Sequence, residues 1–407
     1  MRPSETRSVV ALLSSVFCSS TALALVTTVL GKQVFDLTGS ELSLGLLGLA
    51  EFAPAALLVF VTGTLADRVD RRALAGGALA VQSLTIACLA WYAGSNPSST
   101  VPMFLLVIVF GTAGAFATPS TRALPADTVA PERLPWLVAR QSASWQGASI
   151  LGPVLGGFLY VADVRLPYAA GSVLLLVAAA SITLVQPRRR AVARERPRGG
   201  LREAVEGVRF VRSQPILLGA ISLDLFAVLF GGAVALLPAI AETRLGIGAV
   251  GLGLLRAGVG IGAGSVTLYL TVRPVARRVG RTLLVAVSLF GLGTVALGLT
   301  TSFVVAFVAL IALSGADSVS VFIRSTLVPL VTPYEKRGRV LAVEAVFIGA
   351  SNELGAFESG VAGQLLGPAA AIVLGGALTL AVAALWWTKF PALRDVDGFP
   401  ISVEVPT

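Results

Sequence analysis

Gly63-Thr64-Leu65-Ala66-Asp67-Arg68-Val69-Asp70-Arg71-Arg72 is the stretch whose reading decides the fold. It sets three arginines and two aspartates between two long apolar runs. Gly63 permits close helix approach, and Asp67 can accept hydrogen bonds from a helix N-terminus or pair with an arginine. The basic cluster is of the kind held at an anionic membrane surface. Alone, such a loop is a plain topological signal, and the rest of the chain decides what more it means.

The chain has 407 residues, 55% of them apolar with its 43 glycines not yet counted, and 13% charged. Its mean hydropathy is +0.86. Soluble domains run at roughly 45–50% apolar, glycine included, and about 25% charged. An ordinary soluble enzyme and a disordered chain are therefore excluded. Twelve spans of about 20 residues would use roughly 240 positions and leave about 167 for loops. There is no histidine, which excludes zinc sites of the usual kind, Ser-His-Asp triads and histidine relays. No metal and no cofactor are expected. Cys18 and Cys88 sit inside apolar runs and read as small packing residues. Arg2 and Arg7 precede an apolar run that continues to Leu30, too long for a signal-peptide core of about 7–15 residues. It reads as a retained first helix.

The spacing predicts spans at 8–31, 42–65, 74–94, 101–121, 138–161 and 167–187, then at 215–241, 249–272, 281–300, 303–326, 338–364 and 368–390. Between the two sets lies an Arg-rich segment, 188–214, in which 201–211 alternates charge and apolar residues like a helix lying on a membrane surface. With the N-terminus inside, 26 Lys/Arg fall on the cytoplasmic side and 3 on the other, while Arg256 and Arg324 lie within spans. That asymmetry predicts cytoplasmic termini. It also accounts for the net charge of +9 as topology, so no nucleic-acid partner is expected. Arg122 and Arg324 are 202 residues apart, as are Pro131 and Pro333, and Arg71-Arg72 is echoed by Arg277-Arg278. A repeat of half the chain with six spans per copy gives parallel repeats. The expected organisation is a six-helix bundle over 1–187, the linker 188–214, a second bundle over 215–390, and a tail 391–407.

In that setting the opening stretch resembles the loop signature of the major facilitator superfamily, Gly-x-Leu-(Ala/Ser)-Asp-(Arg/Lys)-x-Gly-(Arg/Lys)-(Arg/Lys). Gly63, Leu65, Ala66, Asp67, Arg68, Arg71 and Arg72 match, and Asp70 departs where glycine is usual. The Asp-Arg-x-(Asp/Glu)-Arg form, the Arg-rich linker and Arg337-Gly338-Arg339-Val340 are similar to the branch of enterobactin exporters and related drug-efflux proteins. The resemblance implies an all-α membrane protein of twelve transmembrane helices in two six-helix bundles, working by alternating access. It implies a gating role for the loop and a cavity lined by the first, fourth, seventh and tenth spans.

Gly152-Pro153-Val154-Leu155-Gly156-Gly157 is similar to the Gly-Pro-x-x-Gly-Gly core of the superfamily's antiporter motif, with Ala148 where an upstream glycine is usual. The proline bends the helix and the glycines allow tight packing; a generic kinked helix would use the same residues. Many proton-coupled exporters carry an arginine midway down the fourth span. Gly111 to Thr118 has none, and Arg122 lies about 31 Å from the span's start.

Six acids fall within spans: Glu51, Asp224, Asp317, Glu344, Glu353 and Glu358. Facing lipid, each would cost roughly 2.5–3.5 kcal/mol. They are expected to face partner helices or a wet cavity, some as structural partners of Arg256 and Arg324. Asp317 and Arg324 share a helix face about 10 Å apart in height. Glu353 and Glu358 lie about 140° apart around their helix and cannot both face one narrow cavity. Asp224, Asp317, Glu353 and Glu358 are the candidate proton-coupling acids, with Glu51 a further candidate. Arg122 and Arg324 are the candidate basic groups of a cavity or gate. Glu344, near its span's end, reads as structural.

The sequence thus predicts a secondary active transporter of a bacterial cytoplasmic membrane, a proton-coupled exporter of a siderophore or hydrophobic drug-like molecule. Its expected partners are the substrate, protons and the bilayer, and it is expected to be monomeric. Import of a nutrient or lipid by the same fold is the alternative. A polytopic membrane enzyme or sensor is a remote one, opposed by the lack of histidine and the short tails. No Gly-x-x-x-x-Gly-Lys-(Ser/Thr) loop is present for ATP.

Overall fold

The structure is a computed structural model describing residues 3–186 and 201–399, without the side chains of 3–4, 59–61, 63–64, 66–68 and 201–204. The described residues are helical, without strands. In the first half α1 is Pro3–Thr38, α2 Glu41–Arg68, α3 Arg71–Ala93, α4 Val101–Thr128, α5 Leu134–Ala162 and α6 Arg165–Thr183. Then follow α7 Leu201–Ser213, α8 Pro215–Phe230, α9 Leu237–Thr243, α10 Gly248–Val272, α11 Val279–Leu299, α12 Phe303–Val331, α13 Tyr334–Leu366, α14 Pro368–Lys389 and α15 Pro391–Arg394. Eleven helical stretches, with α8 and α9 counted as one, are long and apolar enough to cross a membrane. The remaining long helix, α5, has 29 residues; Gln141, Ser142, Ser144 and Gln146 dilute its apolar character. Leu57 is 80% exposed and Trp91 78%, surfaces that only lipid would cover. The chain is a twelve-helix membrane protein.

The chain forms two compact units: Met1–Glu195 with Ala241–Ala257, and Arg196–Ile240 with Gly258–Thr407. In the first, α1 packs on α5 and α6, and α3 on α4 and α6. Several polar groups buried there find partners, as bilayer packing favours. Tyr168 Oη donates to Gln33 Oε1 at 2.6 Å, and Ser15 Oγ to the Ala178 carbonyl at 2.9 Å. In the second unit α11 packs on α12 and α14, and α8 on α13 and α14. Trp386 Nε1 donates to the Gly219 carbonyl at 3.0 Å.

The seventh span differs from the continuous helix expected over 215–241. It breaks at Gly231-Gly232 into a 3₁₀ turn, Ala233–Leu236, before α9 resumes with Pro238 in its first turn. Two glycines lower helix propensity, and the proline lacks the N–H that would carry the ladder onward. The break lets backbones meet. A Cβ on Gly232 would lie 2.5 Å from the Gly355 carbonyl, and one on Gly355 2.7 Å from the Val228 carbonyl.

Of the Arg-rich segment, 188–200 lies outside the described residues. The helix α7 presents buried Gly207 and Val211 toward α13 and α8. Glu206 pairs with Arg339 at 2.9 Å, and the Lys336 ammonium sits 4.5 Å from the Phe210 ring centroid.

Residues Pro391–Phe399 fold back onto the start of α11. There Arg278 adopts the left-handed conformation, φ 53°, and supplies no side-chain cap. The cap comes from afar: Arg278 N donates to Asp397 Oδ1 (3.2 Å), Val279 N to the Asp397 carbonyl (3.3 Å), and Gly280 N to the Val396 carbonyl (2.9 Å). Leu393 is fully buried beside them. Losing a cap side chain costs about 1 kcal/mol, so Asp397→Ala is expected to lower the thermal unfolding midpoint of purified protein slightly. Truncation after Lys389 should lower it far more, because all three acceptors and Leu393 go together. Equal midpoints for the two variants would show that the cap contributes nothing beyond one side chain.

Candidate functional site

The loop that opened the sequence reading is built on two helix ends. Val69 closes α2, its N–H reaching the Leu65 carbonyl at 3.0 Å. Asp70 is the N-cap of α3 and accepts from Arg72 N at 2.9 Å. This explains an aspartate where the superfamily pattern has glycine: aspartate is among the best N-caps. The Arg72 guanidinium holds the Asp70 carboxyl down at about 2. It pairs with Asp70 at 2.8 Å and donates to the Val185 carbonyl at 3.0 Å. Arg71 pairs with Asp127, at the end of α4, at 2.7 Å. Leu65 is partly buried. The side chains of Asp67 and Arg68, and the surroundings of Gly63, lie outside the described residues.

The glycine-proline motif of α5 has two working faces, both within the first unit. Gly152 and Gly156 meet α1: Cβ atoms there would lie 2.7 Å from Ala24 Cβ and 3.1 Å from the Leu25 carbonyl. Gly157 and Pro153 meet the start of α10. A Cβ on Gly157 would come 2.5 Å from the Ala249 carbonyl, and one on Gly253 would collide with the Pro153 carbonyl. Backbone-to-backbone contact leaves no flexible atom to yield. Gly157→Leu is expected to cost about 1–3 kcal/mol through overpacking and to cut transport at least tenfold. Purified variant protein with a wild-type unfolding midpoint and full transport would show this contact to be dispensable.

In the second unit α8, α12 and α13 bring four charged groups together. Arg324 Nη2 and Asp224 Oδ1 are 2.6 Å apart, with both side chains buried. Arg324 Nε donates to Ser320 Oγ at 3.3 Å. Asp317, one face-repeat earlier on α12, is partly buried and within the field of Arg324. Glu344 of α13 is buried and within the field of both Arg324 and Asp224. One guanidinium thus pairs directly with one carboxyl and lies within the field of two more. The sequence singled out Asp224, Asp317 and Arg324 but set Glu344 aside as near a span end. The signal that would have found it is α13's start at Tyr334, which puts Glu344 nearly three turns inside the helix.

The other candidates stand apart. Arg122 is exposed on α4. Glu353 and Glu358 are partly buried on α13. Glu51 of α2 is partly buried in the first unit, where its backbone carbonyl crosses α4 at Gly111. A further polar cluster escaped the sequence reading. Lys32 pairs with Asp36 and, at 3.1 Å, with Glu242, and Tyr160 Oη donates to Asp36 Oδ2 at 3.1 Å. Its residues come from three helices, which no single stretch displays. Among the described residues no group of three acid, cysteine or histidine side chains is arranged to hold a metal ion.

Comparison with known proteins agrees with this architecture. The family model described as Major Facilitator Superfamily matches residues 12–323, and the chain belongs to that superfamily. It is therefore a transporter by family. No curated protein sequence matches it. Among solved structures, it is similar to a bacterial homolog of the human lysosomal transporter Spinster in an inward-facing, occupied conformation. There the identity is 14%, the TM-score 0.70, and 97% of each chain is covered. The nucleoside transporter NupG matches at 14% identity and TM-score 0.69, over 95% of this chain and 99% of that one. A D-xylose-proton symporter matches at 17% identity and TM-score 0.67, over 96% and 98%. At these identities the likeness shows the fold alone.

Proposed function

We propose that this superfamily member is a proton-coupled exporter of a siderophore or hydrophobic drug-like molecule, resembling the enterobactin-exporter and drug-efflux branch. The observation that carries the coupling is the single guanidinium of Arg324 set among Asp224, Asp317 and Glu344. Two of three ionised carboxylates would lack a counter-charge in a medium where an unpaired charge costs several kcal/mol. Protons are the simplest balancing charge. Releasing one on hydration links protonation to the opening of a cavity. Export is supported by the antiporter-like Gly152-Pro153-Val154-Leu155-Gly156-Gly157 packing. The loop from Gly63 to Arg72 gates the end where Arg71 meets Asp127, with Asp67 as its latch. Glu353, Glu358 and Glu51 are the secondary coupling candidates, and Arg122 a gate residue.

The test is transport in proteoliposomes with an imposed pH gradient, using substrates chosen by an efflux panel in a transporter-deficient host. Accumulation of substrate in vesicles with an acidic interior supports antiport. Accumulation only with an acidic exterior supports uptake. The second reading, import of a nutrient or lipid by the same fold, is favoured by the fourth span's lack of the midway arginine that many proton-coupled exporters carry.

The orientation proposed has both termini in the cytoplasm of a bacterial cell. In a background lacking Cys18 and Cys88, a cysteine at Ser98 should label from outside intact cells, and one at Glu335 should not. The reverse pattern would overturn the 26-to-3 argument.

A further inference from the structure

Within the first unit one cation has no obvious duty. Arg256 lies in α10, eight residues past its start, about 12 Å along the helix and well inside the span. Its Nε is buried and has no hydrogen-bond partner among the described residues, whereas the residue as a whole keeps part of its surface accessible. The charge whose field it feels is Glu51 of α2. Arg324, by contrast, has both an ion pair and a hydrogen bond from Nε. The position of Arg256 is fixed by neighbours that cannot give way. Gly253, one turn earlier, lies against the Pro153 carbonyl of α5, and the Glu51 backbone lies against Gly111 of α4.

A buried donor without an acceptor is costly, and an ionisable group inside a span is a functional group by default. A guanidinium presents a planar fork that matches carboxylate, sulfonate and phosphate oxygens. An acid nearby that leaves Nε unmet offers charge without full pairing. This is the arrangement of a binding group with a resident competitor.

We infer that Arg256 is an anion-recognising residue, that the transported molecule carries a carboxylate, sulfonate or phosphate group on an organic body, and that Glu51 competes with that group for the guanidinium. The inference rests on the transporter reading for its cargo and on no assumption about protons. The anion meets the guanidinium and takes over the counter-charge role from Glu51. Without a competing carboxylate the same anion binds more tightly. Without the guanidinium it has no partner. A neutral body of the same shape gains nothing from either change.

The experiment is equilibrium binding to full-length protein in detergent, with no gradient present. Salicylate, benzenesulfonate and phenyl phosphate are the probes, and salicylamide is the neutral control. At least one anion should bind wild-type protein more tightly than salicylamide. Glu51→Gln should tighten that anion at least threefold, and Arg256→Gln should weaken it at least tenfold. Arg256→Lys, which keeps charge but loses the fork, should fall between. If Arg256→Gln does not fold, the Glu51→Gln and Arg256→Lys arms decide. The inference is overturned if no anion binds in the millimolar range, if Glu51→Gln leaves affinity unchanged or lowers it, or if the arginine variants bind as wild type. Absence of anion recognition by wild-type protein that shows gradient-driven transport overturns this inference alone. Anion recognition that follows these expectations, with no effect of a pH gradient on transport, overturns the proton-coupling reading alone.

Discussion

Asp224→Asn is expected to abolish transport driven by a pH gradient, by at least tenfold, while leaving substrate counterflow near the wild-type rate. Counterflow exchanges substrate for substrate and needs no net proton movement; driven transport needs a proton to leave the carboxyl in one conformation and return in the other. The amide keeps the shape of Asp224 and can still meet Arg324 through its oxygen. The arginine also keeps two nearby carboxyls, Asp317 and Glu344, as counter-charges, so the fold is expected to survive. Asp317→Asn and Glu344→Gln should each show the same split to a lesser degree, since neither makes the direct 2.6 Å contact. Retention of driven transport in all three variants would remove this cluster from the coupling mechanism. Loss of counterflow along with driven transport would reassign the cluster to substrate binding.

Arg324→Met should produce the largest loss of stability of any single change considered. Removing one partner of a buried pair leaves uncompensated charge, at about 3–5 kcal/mol, and here up to three acids are left. Unfolding of purified protein in detergent by heat or denaturant would measure it. The double variant Arg324→Met with Asp224→Leu should recover part of the loss, because matched apolar groups replace a buried pair at little cost. Absence of recovery would mean that Asp317 and Glu344, not Asp224, carry most of the interaction with the arginine.

Which parts of this molecule a sequence can disclose follows from the range of the interactions. The long helices were legible because bilayer thickness imposes a run length that hydropathy detects directly. Their ends were less so: α4 continues to Thr128, past its last strongly apolar residue, and α12 to Val331, past the charge of Arg324, because a helix can extend beyond the apolar layer. The break at Gly231-Gly232 was hidden because apolar content stays high across it, while the interruption is a backbone event. Asp224 and Arg324 were each recognisable as charges out of place, yet their contact spans 100 positions and no local spacing encodes it. The orphaned Nε of Arg256 is likewise a three-dimensional fact. Asp70 was legible as a departure from the superfamily pattern, and only the helix start at Arg71 gives the reason for it.

The distant cap on α11 carries a consequence for how the protein is made. Gly280 and Val396 are 116 positions apart. At about 5–20 residues per second of synthesis, roughly 6–23 seconds separate their emergence from the ribosome. During that interval the first turn of α11 has inserted without its acceptors, and Leu393 is not yet available to cover it. The second unit therefore completes its fold only after its last stretch is translated, which makes a ribosome-stalled chain ending near Lys389 the natural object in which to look for protease-sensitive, unfinished packing at that helix end.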